Sequence, residues 1–305
     1  MTFRQLEAFL AVARERSFSV AARRIHLSQP TLSEHVAELE RELGAKLFVR
    51  TARGVGLTEA GRVLETYAAR AVATIGDARR AMEELDGLQR GFLEIGASTT
   101  PGIYLLPGVV AAFRASYPGI TLRLDIGNSR TIEERVQTNE LDLGIVGGHE
   151  LAAGERCLAA GIDDELFLVV PPRHRWARSR ALAPARLAEE PLLLREEGSA
   201  TRRVTERALQ QAGIAYRAGM ELGHTEAIKQ AVMAGLGVAF LSVYAIRREV
   251  DRGDLVALRL QRPRIQRHFH VIHNEGRLLT ASARAFMAAL ARQAPPALAG
   301  PPVGG

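Results

Sequence analysis

Four short stretches of the 305-residue chain gather small hydroxyl and amide side chains directly after apolar runs. They are Ser98-Thr99-Thr100-Pro101, Asn128-Ser129-Arg130-Thr131, Gly198-Ser199-Ala200-Thr201-Arg202 and Gly223-His224-Thr225. Each leads into a segment of helical character. A side-chain oxygen there can accept from the first free N–H groups of the helix, as a cap. Several such ends brought together do different chemistry: free N–H groups and the positive ends of helix dipoles hold a small anion. For any one residue the cap explains as much as the ligand. The convergence of four ends favours an anion held by Ser98, Thr99, Thr100, Ser129, Ser199, Thr201, Arg202 and Thr225. No cofactor is expected beside it.

A second group of residues suits different work. Ser28-Gln29-Pro30-Thr31 opens a segment in which Leu32, Val36, Leu39 and Leu43 form one apolar face. Ser28 is an N-cap, and Pro30 sits in the first turn, where its missing N–H costs nothing. Gln29, Thr31, Ser33, Glu34 and His35 show on the other face. Small polar side chains at such a helix start reach base edges without holding the helix out of a DNA groove. A plain three-helix bundle explains the same residues equally well. Ahead of them, Phe3, Leu6, Leu10 and Ala13 predict one helix, and Ser19 is placed to cap a second through Ala21, Ala22 and Ile25. After them, residues 47–50 and 55–57 read as strands of a hairpin carrying Arg50 and Arg53. Such a wing meets phosphates or a narrow minor groove; an exposed turn with solvated arginines is the alternative.

Other chemistry is weaker. Gly235-Leu236-Gly237 lacks the third glycine of a dinucleotide motif and lies between a helix and a strand, the reverse of the needed order. His268, His270 and His273 do not share one strand face, so no metal is expected. Cys157, the single cysteine, has apolar neighbours and reads as an inert thiol. No spacing implies catalysis, so the chain is not read as an enzyme.

The composition frames these groups. A hydrophobic fraction of 47% and a charged fraction of 24% are ordinary for a globular protein. One cysteine excludes an internal disulfide framework and fits a reducing cytosol. No signal peptide and no membrane span is visible, which predicts a cytoplasmic protein without a membrane partner. The net charge is +6, but residues 1–90 hold 14 basic and 12 acidic side chains, so charge alone does not mark the N-terminus as basic.

Residues 59–88 contain no proline and predict one helix of about 45 Å. Leu64, Ala68, Ala71, Ile75, Ala78, Met82 and Leu85 alternate spacings of four and three, the seam of two packed helices. A helix lying on its own domain is the alternative. From residue 90, strand-like runs alternate with helices, predicting a largely parallel α/β sheet. Strands are read at 92–97, 120–126, 141–146, 166–170, 191–194, 217–222, 238–241, 255–260 and 268–273, with helices at 101–116, 131–138, 202–212, 226–234 and 281–292. Crossings near 157–163 and 261–267 divide this part into two subdomains, about 90–160 with 268–293 and about 161–267. Residues 294–305 are rich in Pro, Gly and Ala, and disorder is expected.

Taken together, Phe18-Ser19-Val20-Ala21-Ala22-Arg23-Arg24, Ser28-Gln29-Pro30-Thr31-Leu32-Ser33, Leu39-Glu40, Leu43-Gly44, Leu47-Phe48-Val49-Arg50 and Leu57-Thr58-Glu59-Ala60-Gly61 resemble the LysR-type transcriptional regulators. The match covers the first 61 residues almost continuously. The resemblance implies a winged helix-turn-helix over 1–58, with Gln29, Pro30, Thr31, Ser33, Arg50 and Arg53 at DNA. It implies a linker helix over 59–89 that dimerises through Leu64, Ala71, Ile75, Ala78, Met82 and Leu85. It also implies an α/β effector domain over 90–293, built like type 2 periplasmic binding proteins. The implied partners are a dyad operator in double-stranded DNA, a small anionic metabolite, a second copy or three in a dimer or tetramer, and RNA polymerase. Glu34 departs from the basic or amide residue frequent there. Residues 195–202 resemble the subgroup controlling carbon-fixation and cysteine-synthesis operons, with Ala200 where glycine is commoner. The rival readings are a solute-binding protein and an enzyme using the same cleft.

Overall fold

The computed structural model describes all residues except 52, 53, 85–87, 89, 149–154, 180 and 294–305, and describes only the backbone at 51, 77, 79–81, 83, 84, 155–161 and 293. Two compact units emerge, residues 1–83 with 138–140, and residues 84–137 with 141–305.

The first unit holds α1 (Phe3–Glu15), α2 (Phe18–Arg24), α3 (Gln29–Leu43), the hairpin β1 (Phe48–Thr51) and β2 (Gly54–Leu57), and α4 (Glu59–Glu84). Thr2 and Gln5 form a capping box that starts α1. Ser17, not Ser19, caps α2, by accepting from the Val20 N–H. Ser28 caps α3 by accepting from the Thr31 N–H at 3.2 Å. The face of α1 that packs is Leu6, Phe9 and Val12, while Phe3, Leu10 and Ala13 are half-buried at its margins. Leu43, in the last turn of α3, lies beyond this core and is exposed. Phe48 joins the hairpin to the helices, its ring 5.3 Å from Phe9 and 5.6 Å from Phe18. Thr58 caps α4 through the Gly61 N–H at 3.0 Å. Gly61 is required, because a Cβ there would stand 2.3 Å from the Leu47 carbonyl oxygen.

The second unit runs β3 (Gly91–Ser98), α5 (Thr99–Tyr104), α6 (Leu106–Ser116), β4 (Ile120–Gly127), α7 (Ser129–Gln137), β5 (Leu143–Gly147) and β6 (Glu155–Val170). It continues with β7 (Ala181–Leu182), a 3-10 turn, β8 (Pro191–Arg195), α8 (Ala200–Gln211), β9 (Arg217–Leu222) and α9 (Thr225–Met233). β10 (Ala239–Ser242), α10 (Val243–Arg252), β11 (Val256–Leu260), β12 (Ile265–Asn274) and α11 (Ala281–Gln293) complete it. The main sheet has the order β4-β3-β5-β12-β6-β11-β7, with β10 also on β6; β8 pairs with β9 apart from it.

The sheet is mixed, not largely parallel as the alternation predicts. β3 is parallel to β4 and β5, but β12 is antiparallel to β5 and β6, and β10 and β11 are antiparallel to β6. The cause is the pair of crossings. β6 and β12 run in opposite directions between two lobes, and β6 is one strand of 16 residues that includes the crossing expected near 157–163. One lobe is packed around Leu93, Ile95, Phe113, Phe269 and Phe286. The other carries cores around Leu168, Trp176 and Phe240, and around Phe167, Ile228 and Ile246. Residues 101–116 form two helices, broken at Leu105, and residues 243–252 form a helix that the sequence reading does not contain. Among the described residues, no helix is long and apolar enough to cross a membrane.

Candidate functional site

β3 and β4 lie in register with Ser98 opposite Gly127, so their carboxyl ends meet one edge of the sheet. Ligands in α/β sheets bind beyond such ends. Here α5 and α7 begin, and α8 faces them from the other lobe. The recess between them takes in about 210 Å³, its open mouth included, and is lined by Ser98, Thr99, Thr100, Asn128, Ser129, Arg195, Ser199, Ala200, Thr201 and Arg267. Ser98 and Ser199 stand at the N-caps of α5 and α8, yet neither side chain bonds its own helix. Capping therefore does not account for these two serines, whereas it does account for Ser17 and Ser28.

Two buried arginines organise the recess. Arg267 on β12 gives its Nε to Asp164 Oδ2 at 2.7 Å, its Nη1 to Thr201 Oγ1 at 3.0 Å and its Nη2 to Thr100 Oγ1 at 3.3 Å. Asp164 lies on β6, and its other oxygen accepts from Ser242 Oγ at 2.6 Å. Burial pushes the Asp164 carboxyl above its usual range, against the opposing pull of Arg267 and Ser242. Arg195, at the end of β8, gives Nη1 to Thr225 Oγ1 at 2.8 Å and Nη2 to Thr99 Oγ1 at 3.4 Å. Its Nε and Nη2 grip the Glu196 carboxylate at 2.7 and 2.9 Å. Thr100 and Thr201 thus accept from Arg267, which orients each hydroxyl with its own hydrogen left to give. Both lobes contribute, and further bridges join them: Asn128 Nδ2 to Glu196 Oε1 at 2.9 Å, Arg130 to Glu197 at 3.2 Å and Arg203 to Glu133 at 3.4 Å.

Six of the eight residues assigned to the anion from sequence line this recess: Ser98, Thr99, Thr100, Ser129, Ser199 and Thr201. Thr225 stands behind it, as an acceptor for Arg195. Arg202 requires correction. One position after Thr201, the helix turns it away, onto Glu206 at 3.1 Å and Glu221 at 2.6 Å. The sequence reading misses Arg195, Arg267 and Asn128. A signal for Arg267 exists: residues 265–271 alternate, and an arginine falls in phase with Ile265, Phe269 and Val271 on the buried side. A charge on a buried face must be paired, which marks it for a role. His268, in the other phase, is exposed and meets Asp163 at 2.8 Å. The side chain of Cys157 lies outside the described residues.

In the first unit, α2, its turn and α3 form a helix-turn-helix, and the hairpin follows as a wing with Arg50 opposite Val55. Gln29 and Pro30 are exposed, Thr31 and Ser33 half-buried, and Glu34 and Arg50 exposed. Gln29 accepts from Ser19 Oγ at 2.8 Å through Oε1. Its amide NH2 remains a donor by chemistry, which suits acceptors on a base edge. Thr31 shares a hydrogen bond of 2.8 Å with Ser28 Oγ, so it also fixes the cap. Arg53 lies outside the described residues.

Leu64 also requires correction. With Ala68 and Val72 it packs on Leu6, Phe9, Leu39 and Leu47, so the first turns of α4 cover the unit's own core. Ala71 and Ala78 are exposed, as are Ile75 and Met82 at 44% and 67%. Val63 and Tyr67 extend that stripe, at 55% and 66%. Leu85 lies outside the described residues.

A winged helix-turn-helix in one chain with a two-lobed polar cleft defines a DNA-binding regulator that carries its own ligand domain. Comparison with known proteins agrees. Residues 3–62 match the bacterial regulatory helix-turn-helix of the lysR family, and residues 86–295 match the LysR substrate binding domain. The RuBisCO operon transcriptional regulator of Allochromatium vinosum is 37% identical over 290 residues, covering 94% of each chain. Full-length OxyR from Pseudomonas aeruginosa, a cysteine-to-aspartate variant, is 25% identical with a TM-score of 0.72, covering 96% of this chain and 94% of that one. The regulatory domain of CcmR from Synechocystis PCC6803, in complex with 2-PG, is 29% identical with a TM-score of 0.63, covering 67% of this chain and 98% of that one. The chain belongs to the LysR-type transcriptional regulators, DNA-binding proteins and not enzymes.

Proposed function

We propose that this regulator senses a small anionic metabolite in the recess between its lobes, and through it controls genes of carbon fixation. The observation that carries the ligand is the convergence of Arg195, Arg267 and hydroxyls from both lobes on one recess. The relatives named for RuBisCO operons support the target genes. CcmR, which holds 2-PG in a domain of the same build, supports a phosphorylated acid as the ligand class. The ligand acts by binding one arrangement of the lobes better than another, which changes how the copies pack and how their DNA readers are spaced. Self-association runs through the exposed stripe of α4, and a dimer supplies two readers for a dyad operator. Gln29, Pro30, Thr31, Ser33, Arg50 and Arg53 face DNA in this reading, in the cytoplasm and beside RNA polymerase.

Thermal shift against inorganic phosphate, sulfate, carboxylates, sugar phosphates and 2-PG tests the ligand. A ligand at 100 times its dissociation constant stabilises by about 2.7 kcal/mol. The gain should vanish in Thr201→Ala, a buried hydroxyl in the recess. A gain that survives Thr201→Ala would place the ligand elsewhere.

A further inference from the structure

We propose that Glu196 is a tethered competitor of the effector: its carboxylate holds the edge of Arg195 that an anionic ligand takes, and binding requires its displacement. This rests on the recess being the anion site.

Four charges meet at the recess. Arg267 is paired with Asp164 and Arg195 with Glu196, so the set is neutral. An incoming anion would leave an uncompensated negative charge in a buried place, which is costly unless a carboxylate moves out. Asp164 cannot move. Its side chain is fully buried in the long strand β6, held by Arg267 and Ser242. Glu196 can. It follows β8 in the short connection to α8, its side chain is 24% exposed, and its neighbour Glu197 already stands in solvent at 79%.

The geometry of the grip adds to the charge argument. Arg195 spends Nη1 on Thr225, while Nε and Nη2, the edge suited to two parallel bonds, face the two oxygens of Glu196. A carboxylate or phosphate is recognised by that same edge. The ligand is therefore a small oxyanion that presents two oxygens in one plane, and it exchanges with Glu196 rather than adding to it. The exchange also breaks the bond from Asn128 Nδ2 to Glu196 Oε1, one of the bridges between the lobes. Ligand entry and lobe contact are thereby linked through one side chain.

The test is calorimetric titration of the full-length protein with inorganic phosphate, sulfate and 2-PG. Glu196→Gln keeps an acceptor for Arg195 and Asn128 but removes the charge. It should tighten the bound probe tenfold or more. Glu134→Gln, exposed on α7, removes the same charge from the surface and should change affinity less than twofold. Unchanged or weaker binding in Glu196→Gln, with binding still lost in Thr201→Ala, would overturn the proposal and leave the anion site standing. Equal tightening in both glutamate variants would also overturn it, as a general field effect. Failure of every probe with wild type and Glu196→Gln alike would overturn the anion site together with the competitor.

Discussion

Arg267→Met removes the beam on which both lobes rest. The guanidinium is 3% exposed, and its partner Asp164 is 0% exposed at 2.7 Å. Methionine replaces most of the alkyl stem and leaves Asp164 with the Ser242 hydroxyl as its remaining side-chain donor. Breaking a buried pair from one side costs about 3–5 kcal/mol, because the remaining charge is uncompensated. Thr100 and Thr201 lose a donor but can turn as donors themselves, so they add little. The expected loss at neutral pH is therefore about 3–5 kcal/mol. Urea unfolding reads it, followed by the single tryptophan, Trp176, which is buried in the same unit. A pH dependence separates this cause from simple loss of packing. Burial already raises the Asp164 carboxyl, and removing Arg267 raises it further. A group with a raised folded pKa lends stability at low pH and loses it as pH rises through that value. The deficit of Arg267→Met should thus shrink as the pH is lowered from neutral toward the carboxylate range. Adding Asp164→Asn removes the charge and should return more than half of the loss. A deficit below about 1 kcal/mol, the range of a solvated surface pair, and flat with pH, would refute the reasoning.

Four other outcomes follow from the first unit. Gln29→Ala should lose about 1–3 kcal/mol of discrimination at one base pair, while Arg50→Ala should weaken operator and random DNA alike and lower the salt slope by about one. Competitive binding at two salt concentrations reads both, and an even loss for Gln29→Ala would contradict base reading. Burial alone would raise the Glu40 carboxyl, but Lys46 and the N–H groups of Leu47 and Phe48 outweigh it and hold the carboxyl below its usual range. The stability it lends is complete above the ordinary glutamate pKa and disappears as pH falls through the lower folded value. Glu40→Gln should cost about 1 kcal/mol at neutral pH and flatten the acid limb of unfolding; an unaltered acid limb would deny the link. Ile75→Glu with Met82→Glu places charge on the exposed stripe of α4. Sedimentation equilibrium should show self-association at least about tenfold weaker, a loss of about 1.4 kcal/mol.

What was legible from sequence divides along physical lines. A cap is local, so Ser28 and the turn into α3 could be read from adjacent residues. The hydroxyl clusters were legible for the same reason, since each opens a helix after a strand. Arg202 misled because one residue along a helix is a rotation of about 100°, and only the neighbours of α8 decide which side is the recess. Leu64 misled because one apolar stripe on α4 serves two surfaces: the inner part packs on Phe9 and Leu47, and the outer part stays exposed. Arg195 and Arg267 were hidden by distance. Their partners Thr99 and Thr100 stand 96 and 167 positions away. The mixed sheet was hidden because the sequence shows a crossing and a separate strand at 166–170, and only the pairing of β6 with β12 makes them one strand.

The bonds that hid those arginines also bound how strongly a ligand must act. The lobes are already joined by the protein's own side chains: Arg195 to Thr99, Arg267 to Thr100 and Thr201, and Arg203 to Glu133. A ligand therefore need not assemble the joined arrangement from nothing. Driving a two-state equilibrium from 1:99 to 99:1 takes about 5.5 kcal/mol of differential affinity. From an even balance, half of that, about 2.7 kcal/mol, reaches the same end point. One hydrogen bond to a charged group contributes about 1.5–3 kcal/mol. A small oxyanion held by Thr100 on one lobe and Thr201 on the other makes two such bonds together only when the lobes are joined. Two such bonds at the recess then suffice for the whole signal. On the proposed reading, the discriminating contacts are the two hydroxyls oriented by Arg267, more than the bulk of the ligand.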